Sequence, residues 1–136
     1  MAFNGTLIAV GSTPTPIPYK YIKVEKFDVT PNQRMELSAK HVSTGVLDRK
    51  TASHTATKIE FETPHLYNND VEALISLITS NFIDSLQRKI SVTYFDPETN
   101  SHKTGTFYVP DIKYSVDHVE GTRILYQPIR IAFIEY

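Results

Sequence analysis

The sequence has no cysteine among its 136 residues. That excludes a disulfide framework, a thiolate metal site and a cysteine nucleophile. A charge excess is also lacking: 14 Lys and Arg stand against 15 Asp and Glu, a formal net of −1. A general nucleic-acid binder carries a basic surplus, so neither that class nor sequence-specific nucleic-acid binding is expected. No apolar run approaches the ~18 residues of a membrane span, so no membrane partner is expected. The opening stretch MAFNGTLIAVGS has neither a basic n-region nor a long apolar h-region, and it does not read as a signal peptide. The five glycines are isolated, as turn and bulge glycines are. They form no phosphate loop, dinucleotide fingerprint or G-x-S-x-G elbow. No repeat of 20–50-residue period and no low-complexity stretch is found.

What is abundant is β-favouring. Ile 13, Val 10, Thr 15, Tyr 8 and Phe 7 together make 53 residues, against 8 Leu. Branched and aromatic side chains suit a pleated, half-buried surface. The length fits one compact domain over residues 1–136 that buries its own core.

Along the chain, Gly5–Val10 reads as a short strand. The stretch GSTPTPIP over residues 11–18 reads as an extended loop, because its three prolines disfavour pairing. YKYIKVEKFDVT reads as a strand whose phase switches between Val24 and Phe27, as at a bulge. Pro31-Asn32 reads as a turn. Met35, Leu37 and Ala39 then alternate. Residues 41–57 are polar, with four Thr and little apolar period. A structureless loop of that length is uncommon inside a domain, so a protruding hairpin arm or a partner-ordered loop is expected. Ile59 and Phe61 mark a strand that Pro64 stops.

One helix is signalled. Asn69 and Glu72 have capping-box spacing, and Val71, Leu74, Ile75, Ile78 and Phe82 follow the helical period. The remainder is expected to be strands. Ile90, Val92 and Tyr94 share one face, residues 96–100 turn, and residues 103–109 return. Ile112, Tyr114 and Val116 alternate next. Glu120-Gly121 makes a tight turn, and Pro128 splits the last strand, which places Ile129, Ile131 and Phe133 on one face. Some eight strands around one helix result.

Chemistry is sparse in this pattern. His41, His54, His65, His102 and His118 form no H-x-x-x-H pair, and two loop histidines do not close a zinc site. Residues 96–100 lack the D-x-[DN]-x-[DN]-G order of a calcium loop, and turn chemistry explains them. Glu60 and Glu62 mark the wet face of a strand rather than an acid/base pair. No metal, no cofactor and no enzyme activity is expected. The eight tyrosines suit half-buried sheet positions and interfaces alike.

Several stretches resemble a family of small proteins encoded in the tail-gene clusters of phages and prophages of Gram-positive bacteria. They are MAFNGTLI at residues 1–8, VTPNQR at 29–34, TATKIEF at 55–61, YFDPET at 94–99, TGTFYVPD at 104–111 and PIRIAFIEY at 128–136. The element order is similar to the tail-tube fold of tube, distal-tail and baseplate-hub proteins. That resemblance implies a mainly β fold, a β-sandwich or half-barrel with one flanking α-helix and a long protruding loop or hairpin. It implies a homo-hexameric ring of single-domain copies that contacts neighbouring tail or baseplate proteins. The virion tail would be its place, after synthesis in the bacterial host cytoplasm. Expected contact residues are Val46, Leu47, Arg49 and Lys50 at the arm tip, with Ile129, Ile131, Phe133 and Tyr136 on the C-terminal strand. The rival reading from composition is a soluble β-barrel or sandwich that binds a small ligand or peptide in a Tyr- and Phe-lined cavity.

Overall fold

A computed structural model describes the backbone of residues 3–41 and 47–136, and the side chains of 3–31 and 56–136. Among the described residues the fold is mainly β, with one α-helix and two antiparallel sheets. Eleven strands occur among the described residues. They are β1 (Ile8–Val10), β2 (Thr15–Pro16), β3 (Asp28–His41), β4 (Leu47–Glu62), β5 (Leu66–Tyr67), β6 (Phe82–Asp84), β7 (Lys89–Asp96), β8 (Ser101–Tyr108), β9 (Val116–Glu120), β10 (Arg123–Tyr126) and β11 (Arg130–Glu135). Helix α1 spans Asn68–Thr79.

The large sheet runs β2-β1-β7-β8-β11-β4-β3, and β6 joins β7 beside β1. The small sheet runs β5-β10-β9. Period-2 patterning builds the large sheet where both neighbours are strands. In β7, Ile90, Val92 and Tyr94 are buried while the intervening residues are half-buried. Ile59 and Phe61 of β4, Phe107 of β8 and Ile131 and Phe133 of β11 continue that face, all at 1% exposure or less. Val71, Leu74 and Ile78 of α1 seal it. Burying each such side chain contributes roughly 1.5–3 kcal/mol, so this single layer of contacts dominates the fold's stability.

Several local expectations are corrected. Residues 19–30 are not one strand. Two 3-10 turns, Tyr19–Tyr21 and Val24–Lys26, precede β3. Tyr21 and Ile22 are buried, and Lys23 N–H donates to Glu62 O at 2.8 Å, so tertiary contacts hold a turn where alternation suggested a strand. Pro31-Asn32 is no turn but lies inside β3, where the register shifts between Thr30 and Gln33. Edge strands and bulges tolerate proline, because its missing N–H breaks no ladder bond there. The Pro-rich segment pairs after all, with Pro16 opposite Ala9 at the sheet's other edge. The capping box does not form. Tyr67 occupies the N-cap without a side-chain bond, and Asn68 Oδ1 accepts from Ile124 N–H at 3.2 Å instead. Phe82 belongs to β6 and not to the helix. Residues 112–115 are irregular, and the strand starts only at Val116.

Gly11 is fixed by geometry. Its φ is +97°, and a Cβ there would collide with Asn81 Oδ1. Asn81 in turn donates from Nδ2 to Leu77 O at 2.7 Å, closing the end of α1. The bend after β1 and the helix terminus thus share one tight contact.

Candidate functional site

The surfaces follow from which strand edges the topology leaves open. β3 ends the large sheet, and no strand among the described residues lies on its outer side. β11 pairs with β4 through Ile134 opposite Lys58, and there its pairing with β4 ends. Beyond that point β3 and β4 pair only with each other, from Gln33 opposite Ala56 to His41 opposite Leu47. The expected arm is therefore a two-stranded ribbon continuing the sheet, roughly 25 Å long at 3.3 Å per residue. Its ladder has three register shifts. Such irregularities bend a ribbon and increase its twist.

The root of the ribbon is fastened. Thr57 N–H donates to Glu135 Oε1 at 2.9 Å, and Thr57 is 1% exposed. Beside it the Tyr94 hydroxyl has its pKa pushed up by burial, against the lowering effect of its bond with Thr57. Lower on β4, Thr63 is fully buried and bridges to β11. Thr63 N–H donates to Ile129 O at 2.9 Å, and Ile129 N–H donates to Thr63 Oγ1 at 3.0 Å.

The expected contact residues divide. Val46 lies outside the described residues. Leu47, Arg49 and Lys50 stand on β4 opposite His41, Ala39 and Ser38. Ile129, Ile131 and Phe133 are core residues at 0–1% exposure, so they are corrected from contact to packing positions. β11 is an inner strand between β8 and β4, so it offers a partner no edge. Tyr136 is 49% exposed and braced: its hydroxyl donates to Gln87 Oε1 at 3.0 Å, and Lys89 Nζ lies 5.0 Å above its ring.

Three further features have no signal in the sequence pattern. Leu86 is 92% exposed on a turn whose N–H groups at Leu86 and Gln87 donate to Asp84 Oδ1. β9 is exposed along its whole length. Phe3 stacks on His102 and meets Phe95 edge-on, while Asn4 N–H donates to His102 Nε2 at 3.1 Å. None of these has a local periodic signal; each depends on what packs nearby.

Two surface clefts accompany these edges. One, about 240 Å³, is charged: Lys26, Asp28, Glu60, Glu62 and Arg130 surround Phe61. Glu60 there is neutralised by Arg130 and by Lys58 at 3.7 Å. The other, about 290 Å³, runs between α1 and two tyrosines, lined by Asn68, Val71, Glu72, Ile75, Tyr114 and Tyr126. At the β7–β8 turn, buried Asp96 accepts from Glu98 N–H and pairs with Lys103 at 2.9 Å. Burial pushes its carboxyl up, but those bonds outweigh burial and hold it below the usual aspartate value. Among the described residues no three His, Asp or Glu side chains converge as metal ligands. No helix among them is long and apolar enough to cross a membrane.

The architecture defines a mainly β protein, a large antiparallel sheet covered on one face by a helix, with an open edge drawn out into a ribbon. The chain belongs to the family described as a family of unknown function, DUF6711, which matches residues 1–136. No curated protein and no solved structure matches it.

Proposed function

We propose that this chain is a structural subunit of a phage virion tail, a distal-tail, baseplate-hub or tube-adaptor ring component that works by assembly and not by catalysis. The observation that carries the reading is the open β3 edge extended by the β3–β4 ribbon. An uncovered edge of that length presents unpaired N–H and C=O groups, and natural proteins either blunt such edges or use them for pairing. The opposite edge is formed by β2 and β6, short strands beside the exposed Ile83 and Leu86. Two different edges at opposite ends of one sheet favour a head-to-tail contact, which closes into a ring when the rotation per copy allows. With one tail-tube-like domain per chain, six copies close such a ring, and the ribbon reaches a neighbouring copy or ring. The place of action is the virion tail, after synthesis in the bacterial host cytoplasm.

The test is molar mass by light scattering together with negative-stain imaging of the purified protein. Rings or short tubes with six-fold averages support the proposal. A strict monomer at millimolar concentration, both alone and mixed with the adjacent tail-cluster proteins, refutes it.

A further inference from the structure

Strand β9 is anomalous for a folded protein. Among the described residues it pairs with β10 alone, and every one of its five residues is exposed. Val116 is 50% and Val119 63% exposed, and Tyr114 just before them is 44% exposed. The register shift in the β9–β10 ladder sets Val116 opposite Tyr126 and Val119 opposite Ile124, so the two exposed valines share one face of the strand. A strand uncovered on both faces and along one edge contributes little to its own stability and invites a further strand. Its charged residues are acidic, Asp117 and Glu120, and Glu72 stands at the Tyr114–Tyr126 cleft. The ribbon has the opposite balance. Its sequence over residues 33–56 carries Arg34, Lys40, Arg49 and Lys50 against Glu36 and Asp48. Within one chain, ribbon and β9 belong to different sheets and do not pair.

We propose that β9 is the receptor for the ribbon of a second copy of this chain. One strand of the incoming ribbon adds to the free edge of β9, making the three-stranded sheet four-stranded. Backbone hydrogen bonds supply the alignment, and Val116 and Val119 lose their exposure to water. A strand rich in cations, such as the Arg49-Lys50 segment, answers by charge the acidic Asp117 and Glu120 of β9. The inference rests on the ring reading, and it names the partner surface that the reading leaves open.

The absence of native cysteine makes the test clean. Val119→Cys protein and Lys50→Cys protein, carrying different affinity tags, are mixed under assembly conditions and oxidised. The expected result is a disulfide between differently tagged chains, lost when Ser80→Cys replaces Val119→Cys. In parallel, Asp117→Lys with Glu120→Lys weakens self-association roughly tenfold or more, and Arg49→Glu with Lys50→Glu added to the same chain restores it. Circular dichroism melts of these surface variants confirm that they fold. Particles that assemble without the 119–50 cross-link overturn this inference and leave the ring reading standing. A homodisulfide between two Val119→Cys chains overturns it in favour of β9 pairing with itself. A wild-type chain that never associates removes the ring reading and this inference together.

Discussion

Replacing Thr63 by valine tests how β4 is locked to β11. Valine has the shape of threonine without the hydroxyl. The substitution keeps the volume of a fully buried site but removes the acceptor at 3.0 Å from Ile129 N–H. That N–H lies beside Pro128, is itself buried and has no water to turn to. A buried donor left without a partner costs about 1–3 kcal/mol. Losing the hydroxyl's own bond to Pro64 O at 2.9 Å adds to this, so about 2–3 kcal/mol is expected. Thr63→Ser keeps the oxygen and loses one buried methyl, about 1 kcal/mol. In urea, with a slope near 1.5 kcal/mol per M for a domain of this size, the valine midpoint falls by about 1.3–2 M. The serine midpoint falls by less than half of that. The order wild type, serine, valine is the decisive result. A valine variant as stable as wild type, or more stable than the serine variant, would show that the Ile129 amide does not depend on Thr63 and would refute the reasoning.

Three other outcomes are expected. Because Asp96 is held below the ordinary aspartate range in the fold, its contribution is present above that range and is lost as pH falls through its folded value. Asp96→Asn should therefore be less stable than wild type at neutral pH and show a flatter decline below about pH 4, read from urea midpoints against pH. Gly11→Ala should cost about 2 kcal/mol or more, from the positive φ and the Asn81 contact, and adding Asn81→Ala should recover the steric part in a double-mutant cycle. Replacing residues 36–51 with an Asn-Gly turn should leave the thermal midpoint within a few degrees of wild type and, under the proposed ring assembly, abolish rings or tubes in negative stain. Particles of normal form from that shortened chain would remove the ribbon from the assembly.

Local chemistry in the sequence was readable where a strand or helix has a uniform neighbour. Ile90, Val92 and Tyr94 alternate because β7 sits between strands with its other face half-wet, and Val71, Leu74 and Ile78 repeat because one stripe of α1 meets the sheet. The ribbon was legible only in part: the polar stretch 41–57 stood out as too long for a loop, whereas residues 33–40, which form the ribbon's other strand, alternated like an ordinary sheet strand. What failed depends on distant contacts. Residues 19–26 alternate like a strand, but the end of β4 holds them as turns. The apolar C-terminal strand looked like a surface for partners, yet it inserts between β8 and β4, pairings far away in sequence that no local pattern announces. The reverse error concerns β9. Its Val-Asp-His-Val-Glu run has ordinary strand chemistry, and nothing in it tells that both faces remain uncovered.

The paired ribbon also constrains how this protein can change. A ribbon whose side chains must keep their sides lengthens by two residues per strand at a time, about 7 Å of reach per step. A single added residue inverts every side chain beyond it unless a bulge absorbs the insertion, and this ladder has already absorbed three such irregularities. Reach is thus quantised. A descendant with a longer or shorter ribbon would differ by whole steps of that size, with compensating bulges, while the core beneath stayed unaltered.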